Sequence, residues 1–434
     1  MKITLVDVRT RKTAINKDLA GGFGTASNYG KSLPSRALAW IKRSSVRLPV
    51  LSLGYIAAIL KEKGHEVDYS AGQFSKNTDL FLIYGSLVEH QAELAYAKEI
   101  KNRQLGKVGF VGSLASAKPD LFTSVSDFVI HGEAENILGK MDLRKASGII
   151  QAEPVKNLEE FPFPDWSVFP YKKFAHKHYI SGTPFFPILS SKGCPFSCAF
   201  YCPYPSQQGS TVRYRSAKHV VDEMEMLIQK YGAKGFLFRD PIFTLQRSHA
   251  AGIAEEILRR KINTTWACET HLIRLDPELI DLFHRAGLRG LNVGIESVDI
   301  KVLQNVKRKT DLPTHQKEII EYCEKKGIKV CGFYLFGNAT DTEATIRASI
   351  QYAIQLPHSY AQFNIVTPYP GTPFYDQIKD EIFEKDWNQF DVYTPTFNHP
   401  HLRPTQLISL KEEAYRAYYF RPKWLWRHFI SNPT

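Results

Sequence analysis

No stretch of the 434-residue sequence approaches the roughly 18 consecutive apolar residues that a membrane-spanning helix needs. There is also no basic start followed by an apolar run and a small-residue cleavage site. Met1-Lys2-Ile3-Thr4-Leu5-Val6-Asp7-Val8 alternates from its first residues and reads as a strand. Cysteine is scarce: six in all, three of them within nine positions, which is no secreted disulfide framework and suggests metal or redox chemistry in a reducing cytoplasm. Low-complexity segments are absent, and so is any repeat beyond a strand–helix unit. Acidic residues are outnumbered, 44 against 56 basic, for a formal charge of +12. The basic residues are scattered over the chain, which suits solvated helix faces better than a nucleic-acid footprint, and no nucleic acid is expected as a partner. One local excess stands out. Arg416, Arg421, Lys423 and Arg427 alternate with Tyr415, Tyr418, Tyr419, Phe420, Trp424, Trp426 and Phe429, a mixture suited either to a membrane interface or to a lid packed on the fold.

What is present is an α/β rhythm. Residues 1–150 read as a Rossmann-like domain with strands near 3–8, 66–69, 80–84, 108–112 and 127–130, separated by helical patterns. The later strands end in small residues, Gly85-Ser86, Gly112-Ser113 and Gly132-Glu133. In open α/β sheets ligands bind beyond the carboxyl ends of strands, so these turns are candidate ligand loops. Residues 151–182 hold Pro154, Pro162, Pro164 and Pro170 and read as a linker, because proline removes backbone donors and fixes φ. From 183 to 375 six more units follow, with strands near 186–191, 235–239, 264–268, 291–295, 329–335 and 361–366, the count of a partial TIM-like (β/α)6 barrel. Residues 376–434 are mainly helical and aromatic.

The stretch Ser190-Ser191-Lys192-Gly193-Cys194-Pro195-Phe196-Ser197-Cys198-Ala199-Phe200-Tyr201-Cys202-Pro203 directly follows the first strand of this second unit. Three thiolates on one loop can hold three irons of a four-iron cluster and leave the fourth open to a small molecule. A zinc site is the alternative, but no further His or Cys stands nearby as a fourth ligand. Cys268, Cys323 and Cys331 sit singly in strand or helix patterns and read as small buried residues.

The Gly-Cys-Pro-Phe-Ser-Cys run at a strand end resembles the radical S-adenosylmethionine superfamily loop. It departs from that family in leaving three residues, not two, between the second and third cysteines. Phe238-Arg239-Asp240-Pro241-Ile242-Phe243-Thr244, Gly290-Leu291-Asn292-Val293-Gly294-Ile295-Glu296-Ser297 and Thr367-Pro368-Tyr369-Pro370-Gly371-Thr372-Pro373 look like strand-end motifs of its cobalamin-binding branch, and the first domain is similar to that branch's cobalamin domain. No Asp-x-His-x-x-Gly stands there, so no histidine is expected on cobalt through that motif.

The resemblance implies a 4Fe-4S cluster on Cys194, Cys198 and Cys202, with S-adenosylmethionine and cobalamin as the other cofactors. It places the adenine near Tyr201, the methionine ammonium on Asp240, the ribose on Glu296 or Ser297, and the methionine carboxylate on Lys307 or Arg308. Glu296 equally suits a helix cap, and Asp240 a turn before Pro241. The implied activity is cleavage of S-adenosylmethionine to a deoxyadenosyl radical, with methylation of an unactivated carbon of a small-molecule or lipid-like substrate; the aromatic, basic tail suggests a lipid, terpenoid or tetrapyrrole near a membrane. An external electron donor and peripheral membrane contact through the C-terminal region are expected. Oxidative cyclisation of the anaerobic magnesium-protoporphyrin type is the alternative, and a cofactor carrier without radical activity is a third reading. A tRNA methylthiotransferase would need cysteines in residues 1–140, which have none.

Overall fold

The computed structural model describes residues 1–10, 15–75, 77–180, 182–309 and 311–426. Six parallel strands form the first sheet: β1 (Lys2–Val6), β2 (Glu66–Ser70), β3 (Leu80–Tyr84), β4 (Lys107–Val111), β5 (Phe128–Gly132) and β6 (Gly148–Ala152), in the order β2-β1-β3-β4-β5-β6. All five residues of β3 are buried, as a central strand covered on both faces requires. The sixth strand was not anticipated from its composition: Gly148 and Ile149 are exposed at its start, and pairing with β5 holds it in the sheet.

Between β1 and β2 the chain does not simply cross over. Residues 15–50 make an excursion that carries α1 (Leu33–Ser45) before the crossover helix α2 (Leu51–Glu62). Ser32 caps α1, its Oγ accepting from the Ser35 N–H, and Pro34 sits in the first turn, where its missing donor costs nothing. After α1, Val46 and Arg47 pair antiparallel with His176 and Ala175, just ahead of the second sheet. The third long helix of this half is α3 (His90–Asn102).

The second sheet comprises β7 (Phe185–Ile188), β8 (Gly235–Phe238), β9 (Trp266–Thr270), β10 (Leu288–Glu296), β11 (Lys329–Phe336) and β12 (Tyr360–Ile365), all parallel and in chain order. Helices α4 (Ala217–Tyr231), α5 (Arg247–Arg259), α6 (Pro277–Arg285), α7 (Pro313–Lys325) and α8 (Glu343–Gln355) connect them. Ser216 caps α4 and Gly232 ends it in the left-handed conformation, while Val220, Val221, Met224 and Leu227 line its buried face. All six strands lie where the sequence pattern put them. On β12, Ala361, Phe363 and Ile365 are buried, whereas Tyr360, Gln362 and Asn364 on the opposite face are half-exposed.

The aromatic C-terminal region is mostly inside. Helix α9 (Pro404–Tyr419) buries Tyr415 and Tyr418, and Trp424 follows. Their polar ends serve the free edge of β12. Tyr419 Oη accepts from the Ala361 N–H at 3.1 Å and donates to the Ala361 carbonyl at 2.7 Å; Tyr415 Oη accepts from the Phe363 N–H at 3.1 Å. The Ile365 N–H donates to the Val392 carbonyl. An edge strand is thus closed by side chains and a loop instead of a neighbouring strand. Phe420 and Trp426 remain exposed, and Arg427 and Phe429 lie outside the described residues. No helix among the described residues is long and apolar enough to cross a membrane.

Candidate cofactor site

The cysteine loop is anchored before it begins. Asp240, fully buried just past β8, accepts from the Ser190 N–H (3.1 Å), Ser190 Oγ (2.7 Å) and Ser191 Oγ (2.6 Å). Its carboxylate is therefore engaged with the chain and acts as a fastener between β8 and the loop. Ser191 and Lys192 pair antiparallel with Tyr214 and Arg213. Gly193 follows at φ +102°, where a Cβ would meet the Thr211 carbonyl oxygen at 2.3 Å, so the turn into the cysteines accepts no side chain.

The lengthened spacing has a simple geometry. The Cys202 N–H donates to the Cys198 carbonyl at 3.0 Å, so the two cysteines stand one helical turn apart and share a face. Burial raises all three thiols, and the Cys194 and Cys198 sulfurs raise that of Cys202 further. Arg308 pulls the other way on each. Buried neutral thiols of this kind become thiolates when iron takes the proton's place. Among the described residues no three His, Cys, Asp or Glu side chains converge as a single-ion site would require. The donor set, three thiols on one short loop that can each take a separate iron, fits a cluster.

Beside Cys198 the structure gathers Tyr201, Glu296 and Arg308. Glu296 ends β10 at φ +68°, where the register against β11 slips between Gly294 and Glu296. A non-glycine residue in that region is a strained conformation of the kind found at ligand sites. Its carboxylate lies 3.3 Å from Arg308, whose Nη2 also donates to the Gly294 carbonyl at 3.0 Å. Burial pushes the Glu296 carboxyl up, and Arg308 opposes this. Lys307, also at positive φ (53°), lines a cleft with Cys198, Phe196, Arg274 and Arg308. Ser297 stands apart: it is buried, and its Oγ accepts from the Asp299 N–H at 3.2 Å at the start of the next short helix.

The strand-end turns of the first sheet divide in the same way. Gly112, Ser113, Gly132 and Glu133 line a cavity with 1110 Å³ of atom-free space, open to solvent. Its opposite wall is Leu189, Lys192, Tyr204 and Arg239 from the cysteine-loop side. Gly112 turns at φ +108° against the Tyr84 ring and Gly132 at φ +104° against the Ala152 carbonyl. Glu133 is tied to Arg213 (2.8 Å) and Lys192 (3.5 Å); burial would raise its carboxyl, but the two cations outweigh it and hold the group below its usual range. Gly85 and Ser86 are not on this wall. Ser86 is fully buried and donates its N–H (2.8 Å) and Oγ (2.6 Å) to Glu93, which is itself paired with the buried Lys17 at 2.7 Å.

Arg239, the neighbour of Asp240 in the Phe238–Thr244 stretch, has a role that the sequence alone does not mark. Its guanidinium, 5% exposed, pairs with Asp18 from the 15–50 excursion (2.9 Å) and with Glu269 of β9 (2.8 Å), fastening the two halves at the cavity's edge. The only signal was its place at a strand end, since Asp18 and Glu269 lie far away in sequence.

Residues 188–353 match the Radical SAM superfamily model, and this segment of the chain is a radical S-adenosylmethionine domain. Its relatives narrow the branch. An uncharacterized methyltransferase of Pyrococcus horikoshii is 28% identical over 306 residues, 69% of this chain and 65% of the relative. The bacteriochlorophyllide d C-12(1)-methyltransferase of Chlorobaculum tepidum is 26% identical over 341 residues, 75% of this chain and 73% of that enzyme. The anaerobic magnesium-protoporphyrin IX monomethyl ester cyclase of Rubrivivax gelatinosus is 24% identical over 64% of this chain, which spans 50% of it. Among solved structures, the radical S-adenosylmethionine methyltransferase TsrM of Kitasatospora setae, with tryptophan and a SAM analogue bound, shares the fold at TM-score 0.62 and 19% identity, covering 97% of this chain and 83% of its own. The cobalamin-dependent S-adenosylmethionine radical enzyme OxsB, with aqua-cobalamin bound, does so at TM-score 0.58 and 14% identity, over 87% of this chain and 55% of its own.

Proposed function

We propose that this chain is a cobalamin-dependent radical S-adenosylmethionine methyltransferase acting on an unactivated carbon of a small molecule. One observation carries the reading: the cavity bounded by the first sheet's strand-end turns opens onto the cysteine loop's own flank, so two cofactors held there would meet over one space. The first sheet is read as a Rossmann-like cobalamin domain and the second as a partial (β/α)6 barrel. Bound there, the cluster supplies the electron that cleaves S-adenosylmethionine, and cobalamin supplies the methyl group. The protein's part is positioning. Cys194, Cys198 and Cys202 hold iron, Asp240 fixes the loop that carries them, and Arg308 with Glu296 offers a charged pair beside Cys198 to the amino-acid end of S-adenosylmethionine. Gly112, Ser113, Gly132 and Glu133 border the space for the corrin.

The test is product analysis with anaerobically reconstituted protein, a reductant and candidate substrates. Equal yields of deoxyadenosine, S-adenosylhomocysteine and methylated product are expected, because one S-adenosylmethionine serves the radical and another the methyl group. The similarity to the cyclase of Rubrivivax gelatinosus favours a second reading, oxidative ring closure. Deoxyadenosine without S-adenosylhomocysteine would decide for it.

A further inference from the structure

The barrel has a second opening, away from both cofactor spaces. Its edge strands β7 and β12 do not pair, and between the chain just ahead of β7 and the first residues of β12 lies 2030 Å³ of atom-free space open to solvent. Helix α1 and the end of α9 form the other walls. These walls are aromatic and apolar: Tyr29, Tyr360, Tyr415, Tyr419, Trp424 and Ile41 all contribute.

Into this apolar space reaches a half-buried cation. Lys42 Nζ donates to Gln362 Oε1 and to Tyr393 Oη, both at 3.3 Å, and lies 5.3 Å from the centre of the Tyr29 ring. No carboxylate of the described residues pairs with it. Lys177 and Lys329 line the same cavity, as does Glu324, whose oxygens accept from Ser359 and from the Val330 N–H. Beside them burial lowers the His178 imidazole to about 4, and Lys42 and Lys329 push in the same direction. Neutral hydrogen-bond partners orient Lys42 without neutralising it, and in an aromatic setting an uncompensated ammonium is completed by an anion.

We propose that this open side of the barrel binds the substrate, and that the substrate is a largely apolar small molecule bearing a carboxylate, with the carboxylate on Lys42 and the apolar body against the tyrosines and Trp424. Gln362, which holds Lys42, donates on to Asn364 at 3.0 Å, so the half-exposed face of β12 continues from the cavity toward the strand's carboxyl end, where the cofactors are expected. The claim that the ligand is the substrate rests on the methyltransferase reading; the binding site does not.

The probe is cis-parinarate, an anionic fluorescent fatty acid, with its uncharged methyl ester as the control. Both are titrated into reconstituted full-length protein without S-adenosylmethionine. Saturable enhancement with the wild type is expected. Lys42→Gln should weaken parinarate about tenfold, some 1.4 kcal/mol, and leave the ester unchanged. Ala37→Trp, on the exposed face of α1 at the cavity wall, should weaken both without disturbing the fold. No saturable binding, or binding that neither substitution changes, overturns the proposal. Intact parinarate binding in protein that makes no deoxyadenosine under reducing conditions would sink the radical reading and leave this site standing.

Discussion

At the scale of single residues, the site is built from groups that hold one another before any cofactor arrives. Cys194, Cys198 and Cys202 share one short loop, while Cys268 and Cys323, on separate elements, are wholly enclosed in the core. Replacing any one of the three by alanine should cost most of the iron and sulfide after anaerobic reconstitution, with the far-UV circular dichroism unchanged. Cys268→Ser should keep its iron, and iron retained in all three alanine variants would remove the cluster assignment. The cysteine run was legible because one short loop contains the whole ligand set. Arg239 was not, because its importance lies in Asp18 and Glu269, brought to it by folding. The place of Asp240 at a strand end suits a ligand for the methionine ammonium, but that position says nothing about the three donors from Ser190 and Ser191 that its carboxylate accepts.

Elements fared differently. Every strand but β6 is visible as a short apolar run at regular spacing, since a strand buried on both faces must be apolar nearly throughout; β6 is half-exposed and carries no such run. The fate of the aromatic tail was not visible, because tyrosines that anchor to a membrane and tyrosines that close a sheet edge have the same composition. Their hydroxyls decide the matter. Tyr415→Phe and Tyr419→Phe remove the partners of the Phe363 and Ala361 backbone groups, and each should lower unfolding free energy by about 1–2 kcal/mol, additively at most, as read in denaturant titrations. The turn after β11 carries a pH signature. Asp341 accepts from the Gly337 N–H (3.0 Å) and the Asn338 N–H (2.9 Å), and burial nevertheless raises its carboxyl to about 6. An acid whose folded-state value lies above its unfolded one binds more protons when folded, so it favours the fold at low pH and loses that contribution as pH rises from about 4 to 6. Asp341→Asn, which keeps an acceptor, should therefore gain stability relative to wild type above pH 6, on the order of 2 kcal/mol, with the gain vanishing below pH 4. A difference independent of pH would refute the burial account.

For the molecule as a whole, the cavity at the first sheet's strand-end turns lies between two halves that meet through Arg239, Asp18, Glu133 and Arg213. A ligand that touches both halves binds the folded chain and not the unfolded one, so cobalamin should raise the melting temperature, by about 2.7 kcal/mol of added stability at a hundredfold excess over its Kd. Ser52→Trp, on α2 at the cavity wall, should abolish that shift and the bound-cobalamin absorbance together. A shift that survives the substitution would place the corrin elsewhere.

The 15–50 excursion has a bearing on how such a protein can change over evolutionary time. Lys411 of α9 donates to the Asn28 and Tyr393 carbonyls, Asn28 reaches Thr394, and residues 46–47 are zipped to 175–176. The beginning of the chain is thereby stitched to its end and to its middle. A gene fragment cut between the two sheets would encode a first-sheet half with an orphaned arm and a second-sheet half with a torn edge. Neither is a cassette that recombination could transplant intact, so new specificities in this lineage are expected to arise by point substitution along the seams instead of by exchange of domains.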